Sequence, residues 1–192
     1  MKQKIILASA SPRRSELLAQ IGLEHIVVTS NVSEDFDGEM LPQEVVIVLA
    51  VRKAQAVSKK AARNSIIIAA DTMVVLGTEV LGKPNSVKEA MEMLQKLSGQ
   101  QHEVFTGIAV IRTSDGKVVV DYGKTTVRFR KLTDAEIAQY SETAEWRDKA
   151  GGYAIQGIAA KFVESIEGEY SNVVGLPLCK LSEILSGFSE VW

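Results

Sequence analysis

The stretch 66–76, Ile-Ile-Ile-Ala-Ala-Asp-Thr-Met-Val-Val-Leu, constrains this chain more than any other. It is apolar and largely β-branched, and such a run reads as a strand covered on both faces. One acid, Asp71, lies inside it. An ionised carboxylate in that setting costs several kcal/mol unless it is paired or binds a metal. Asp71 therefore either serves a turn at the strand end or works at a site. Conflicts between local sequence and fold of this kind collect at working sites.

The chain has 192 residues, enough for one sizeable core or two closely joined lobes. It is 46% hydrophobic and 24% charged, the balance of a globular protein. A net charge of -2 argues against a general nucleic-acid binder, which needs a basic face, but leaves room for a small anion held by a few local cations. The single cysteine, Cys179, excludes an internal disulfide, which fits a reducing compartment. Its neighbours Leu178, Leu181 and Ile184 make it read as a small core hydrophobe. Residues 5–10 loosely mimic a signal peptide, but the apolar part is short and Pro12-Arg13-Arg14 follows at once, so no signal peptide is expected. No apolar run approaches about 20 residues, so no membrane span is expected either.

Residues 4–8 read as a short buried strand. Ser11 as N-cap and Pro12 at the first helical position open a helix that stops at Gly22. Arg13 and Arg14 sit in its first turn, where the helix dipole favours anions. A bound phosphate resolves that conflict, because backbone N–H groups, dipole and guanidinium groups would all address it. Residues 25–29 read as a second strand. The loop 30–42 carries Glu34, Asp35, Asp37 and Glu39, and spacing alone cannot choose which of them joins Asp71 at a divalent cation. Residues 43–64 read as a long helix with Lys53 on the same face as Val46, Leu49, Ala50 and Val57. A lysine in such a stripe either reaches out to solvent or points into a site.

Beyond the Asp71 strand, Gly77-Thr78 reads as a tight hairpin turn. Gly82-Lys83-Pro84 follows, and Ser86 with Glu89 forms a capping signal for a helix ending at Gly99. Residues 103–112 and 118–130 alternate as hairpin strands. Thr133 with Glu136 caps another helix. Residues 146–153 form a polar, glycine-bearing loop. Residues 154–157 and 162–166 read as strands around a turn, where Gln156 either reads a base edge or satisfies a backbone group. Pro177 opens the last helix. His25 and His102 have no partner at ligand spacing, so zinc is not expected.

An anion cradle, an embedded acid, an acidic loop and two oddly placed lysines suit phosphate ester or anhydride chemistry. There a hard metal bridges phosphate oxygens while a carboxylate prepares a water. No Walker A pattern is present, and no nucleophile stands beside a base. At this point the residues match a family. Ala8-Ser9-Ala10-Ser11-Pro12-Arg13-Arg14, Ala70-Asp71-Thr72, Gly82-Lys83-Pro84, Lys149 to Gly157, and Asn172-Val173-Val174-Gly175-Leu176-Pro177 together resemble the Maf nucleoside triphosphate pyrophosphatases.

The resemblance runs from the first strand to the last helix and implies one domain over 1–192. It implies an elongated α/β fold of the inosine triphosphate pyrophosphatase type, with a central mixed sheet, flanking helices and a cleft between two lobes. It further implies hydrolysis of a nucleoside triphosphate at the α–β bond to monophosphate and pyrophosphate, with a divalent metal, Mg²⁺ or Mn²⁺, in a cytoplasmic and often dimeric protein. It makes Asp71 proton acceptor and metal ligand, and Glu34 the second metal carboxylate. Ser9, Arg13, Arg14, Lys53 and Lys83 become phosphate ligands, and Arg13, Thr72 and Gln156 the residues that set base preference. Arg13 and Ile155-Gln156-Gly157 follow the dTTP/UTP branch of that family. Glu145-Trp146-Arg147-Asp148 departs from it, since many relatives have a shorter loop there. Three alternatives stay open at this level: a pyrophosphatase for modified pyrimidine nucleotides, a nucleotide-binding regulator without turnover, and a protein-interaction scaffold.

Overall fold

The structure is a computed structural model and describes residues 3–188 apart from Asp37. The acidic loop is therefore described at Glu34, Asp35 and Glu39 only.

Among the described residues the strands are β1 (Lys4–Leu7), β2 (Ile26–Val27), β3 (Ser65–Leu76), β4 (Glu79–Leu81), β5 (Gln101–Arg112), β6 (Val118–Phe129) and β7 (Val163–Glu167). The helices are α1 (Pro12–Gln20), α2 (Pro42–Ser58), α3 (Val87–Leu97), α4 (Asp134–Glu142), α5 (Tyr170–Val174) and α6 (Leu178–Ser186). The strands form one seven-stranded sheet in the order β2-β1-β3-β5-β6-β7, with β4 paired to β3. β1 runs parallel to β2 and β3, while β3–β4 and β6–β7 are antiparallel, so the sheet is mixed. That is the α/β class expected from the sequence.

The chain divides into two compact units, one of Met1–Asp71, Thr106–Gly123 and Gly175–Trp192, the other of Thr72–Phe105 and Lys124–Val174. In the first unit, Ile6, Ala8, Ile67, Ala69, Ala109 and Ile111 of the sheet pack on Ala50, Ala54 and Val57 of α2. Small residues on both sides let the helix lie close. Gly107 of β5 extends this: a Cβ there would sit 2.3 Å from the Val46 carbonyl oxygen of α2. Successive strand side chains alternate faces, so Ile67, Ala69 and Asp71 share one face, the face α2 covers. Lys53 lies three residues beyond Ala50 and so on the buried side of α2. Sequence periodicity thus carries the acid and the lysine to the same place.

The second unit holds α3, α4, β4, β7 and an aromatic cluster. Phe129 lies edge-on to Tyr153 at 4.8 Å between ring centroids and to His102 at 5.1 Å. Thr133 and Glu136 form the capping box expected for α4. His102 is buried; its Nε2 lies 2.7 Å from the Tyr153 hydroxyl oxygen, and its Nδ1 has no partner among the described residues. Burial pushes this imidazole down from 6.5 to about 4. The unfolded chain then binds one more proton than the folded chain between those values, so stability falls as pH falls from about 6.5 toward 4. Moving from pH 7.5 to pH 5 should remove about 2 kcal/mol through this group alone. Denaturant midpoints at the two pH values should show that loss in the wild type and its near absence in His102→Phe, measured against the variant's own value at pH 7.5.

Three local readings are corrected. The helix expected over 43–64 ends at Ser58, one residue past Val57, its last buried apolar anchor. Residues 154–157 form a turn, not a strand, and run into a short 3-10 helix at Ile158–Phe162, because the Gly157 N–H bonds back to the Ala154 carbonyl. Cys179 is exposed rather than in the core, since α6 buries Leu181, Ile184 and Leu185 and Cys179 falls off that stripe.

Candidate active site

The N-terminal end of α1 is built differently from the simplest reading. Ser11 precedes Pro12 at the N-cap, but its side chain makes no capping bond, and its buried Oγ has no partner among the described residues. Ser9 does the local work. Its Oγ accepts from the Ser11 N–H at 3.1 Å and from Arg14 Nη1 at 3.2 Å. An uncapped helix start with a buried unused hydroxyl leaves donors of the kind an anion takes.

Arg14 is more than an anion ligand. Its Nε donates to the Gly175 carbonyl at 2.7 Å, which ties the start of α1 to the segment before α6. Burial pulls its guanidinium down from the ordinary value; Asp71 and then Glu34 act in the opposite direction, and Arg13 adds to the burial effect. The four charges therefore form one electrostatic group. Arg13 itself is half-buried on α1.

At the centre, Lys53 Nζ donates to Asp71 Oδ1 at 2.5 Å and to Glu34 Oε1 at 2.6 Å. Lys53 and Asp71 are both buried, whereas Glu34 is half-exposed. The lysine that the sequence left between solvent and site thus points inward, and the acidic loop contributes Glu34. Removing one partner of a buried charge pair is costly, so the ammonium and Asp71 are each held by the other's presence.

The oxygens that converge, Asp71 Oδ1 and Glu34 Oε1, both accept from the Lys53 ammonium; each carboxylate carries a second oxygen, and carboxylate oxygens are the donor type a hard divalent cation takes. Among the described residues no group of three or more His, Cys, Asp or Glu is placed to hold a metal.

The other expected residues lie in the second unit. Thr72 follows Asp71 on β3 and points to the opposite strand face. Lys83 is exposed just after β4, in a turn whose Gly82 carbonyl accepts from the Gly151 N–H at 3.0 Å. Gln156 is exposed on the turn that follows Tyr153. The structure brings Ser9, Arg13, Arg14, Glu34, Lys53 and Asp71 together in the first unit, and links the Lys83 turn to the glycine loop in the second.

Sequence reasoning missed Gly107 and Glu145. Gly107 sits in an apolar strand with nothing beside it to mark its contact with α2. Glu145 stands one residue before a buried tryptophan in a segment read as loop. Its carboxylate accepts from the Ile158 N–H at 2.9 Å and the Tyr140 hydroxyl at 3.1 Å.

No helix among the described residues is long and apolar enough to cross a membrane. The Maf-like protein family model matches residues 4–188. The dTTP/UTP pyrophosphatase of Thermoanaerobacter pseudethanolicus is 52% identical over 182 residues, 95% of each chain. That of Desulforamulus reducens is 50% identical over 184 residues, 96% of each. A crystal structure of a nucleoside-triphosphatase / dITP/XTP pyrophosphatase from Mycobacterium abscessus aligns over 96% of this chain and 97% of its own, at 13% identity and a TM-score of 0.49. That likeness is too distant to carry an argument about chemistry. With a family match from the first strand to the end of the last helix, and relatives at half identity across the same span, the chain belongs to the Maf family.

Proposed function

We propose that this protein hydrolyses nucleoside triphosphates, dTTP and UTP foremost, at the α–β phosphoanhydride, releasing nucleoside monophosphate and pyrophosphate. The observation that carries this is the Lys53 ammonium seated between Asp71 and Glu34 in a chain about half identical to dTTP/UTP pyrophosphatases. Asp71 accepts a proton from the attacking water. The new bond forms between that water's oxygen and the α-phosphorus; the bridging oxygen leaves with the pyrophosphate. Lys53 orients Asp71 and faces the charge that develops. Ser9, Arg13 and the α1 start receive phosphate oxygens, and Lys83 is a phosphate ligand. Arg13, Thr72 and Gln156 set base preference.

Glu34 and Asp71 would hold a divalent cation, Mg²⁺ or Mn²⁺. When bound it supplies neutralisation of triphosphate charge.

The test is a panel of dTTP, UTP, 5-substituted pyrimidine triphosphates and purine triphosphates, each with Mg²⁺, Mn²⁺ or EDTA. For dTTP and UTP, kcat/KM should exceed the purine values at least about tenfold, and EDTA should abolish turnover. Nucleotide that binds without product would favour a regulator. A preference for 5-substituted pyrimidines over dTTP and UTP would move the proposal to modified nucleotides.

A further inference from the structure

The turn that carries Gln156 has little to hold it by itself. It has the Gly157 N–H bond to the Ala154 carbonyl at 3.1 Å and the Ala160 N–H bond to the Gly157 carbonyl at 3.0 Å. What fixes it comes from elsewhere in the same unit. Glu145 Oε2 accepts from the Ile158 N–H at 2.9 Å, and Oε1 accepts from the Ala159 N–H at 3.5 Å and from the Tyr140 hydroxyl at 3.1 Å. The carboxylate lies so close under the turn that a Cβ on Gly157 would stand 2.3 Å from Oε2. Only a glycine admits this approach, so the turn and Glu145 fit as a pair.

The segment that presents Glu145 is itself held. Ala144 and Asp148, neither of them glycine, both have φ near +58°, a conformation that L residues adopt at a cost. Between them Trp146 is buried and donates its indole N–H to the Ser141 carbonyl at 2.8 Å. Strain on both sides of a buried anchor, with one carboxylate aimed at the Gln156 turn, is a local conflict tolerated for a purpose. Tyr153, paired with His102, fixes the other end of the turn.

We propose that Glu145 is a positioning residue for base discrimination: its carboxylate, steadied by Tyr140, holds the 154–157 turn so that Gln156 presents its amide to the base. This rests on the reading of Gln156 as a base-preference residue. Glu145 touches the main chain of the turn and Tyr140, and acts on the nucleotide only through Gln156.

The experiment compares kcat and KM for dTTP and dGTP in wild type, Glu145→Ala, Glu145→Gln, Gln156→Ala and the double variant Glu145→Ala/Gln156→Ala. Glu145→Ala should raise KM for dTTP about tenfold with kcat within about twofold, and narrow the dTTP/dGTP ratio toward that of Gln156→Ala. Glu145→Gln keeps an acceptor for the Ile158 N–H and should recover most of the ratio. The double variant should be no worse than Gln156→Ala alone, because both changes act through one group. Tyr140→Phe should shift the ratio the same way by a smaller factor, but its hydroxyl also bonds the Ala154 backbone of the turn, so if Glu145→Ala fails to fold the double variant Tyr140→Phe/Glu145→Gln decides the matter: a ratio no lower than that of Tyr140→Phe alone supports the proposal, and a further additive loss overturns it. Additive losses in the double variant, a fall in kcat that is equal for both nucleotides, or an unchanged ratio in the folded variants would overturn the proposal. An unchanged ratio in Gln156→Ala would instead remove the reading of Gln156 and, with it, this role for Glu145.

Discussion

Replacing Asp71 by Asn should lower kcat for dTTP hydrolysis about a thousandfold and leave the fold in place. A positioned general base contributes about 10²–10⁴-fold, and the amide cannot take a proton from water. The substitution is nearly isosteric, and the Asn oxygen still accepts from Lys53 Nζ, which the carboxylate now contacts at 2.5 Å. Lys53 keeps Glu34 as its ionic partner at 2.6 Å, so no buried charge is left alone. The melting temperature should therefore move by only a few degrees. Steady-state kinetics and a thermal melt on the same preparation check both halves. Turnover within about tenfold of wild type would take Asp71 out of the proton-accepting role, whatever the melt shows.

Gly107→Ala should be the most damaging single methyl group in the first unit. Its Cβ would meet backbone, with Val46 O at 2.3 Å, Val46 C at 2.4 Å and Ile47 N at 2.6 Å. Backbone in the second turn of a packed helix cannot swing aside as a side-chain tip does, so α2 must lift from β5. Overpacking costs about 1–3 kcal/mol, and a contact with helix backbone belongs at or above the upper end. About 3 kcal/mol corresponds to about 6–12 °C in a chain of this size. Urea midpoints and thermal melts measure it. The same displacement moves Lys53, which rides on α2 two turns further along, away from Asp71. The folded fraction of Gly107→Ala should therefore also lose activity. A variant as stable as the wild type would show that α2 is not seated on β5 as described.

The features legible in the sequence are those with a period or a local signal. The run 66–76 announced β3, and its alternation put Asp71 on the face of Ile67 and Ala69. The stripe of α2 put Lys53 on the buried side, yet it could not say which way the ammonium turns, because that depends on Glu34 and Asp71, 19 and 18 residues away. The choice of Glu34 among four acids came from family resemblance, not from spacing. Ser11 looked like the cap of α1, and Ser9 took the bonds instead. That exchange depends on Arg14 reaching both Ser9 and the Gly175 carbonyl, 161 residues along the chain. Contacts through Gly107 and Glu145 left no mark in composition or periodicity, because what matters there is a missing side chain in one case and a main-chain acceptor role in the other. Residues 154–157 looked like a strand by their side chains, and a turn bond at Gly157 decided otherwise.

The claim on which the rest depends is which bond breaks. ³¹P NMR of dTTP incubated with Mg²⁺ or Mn²⁺ and the wild-type protein, beside the same reaction with Asp71→Asn, measures it directly. The account predicts thymidine monophosphate and pyrophosphate in equal amounts from the wild type and almost no change in the variant over the same time. Thymidine diphosphate with inorganic phosphate, or the same products at the same rate from Asp71→Asn, would contradict it.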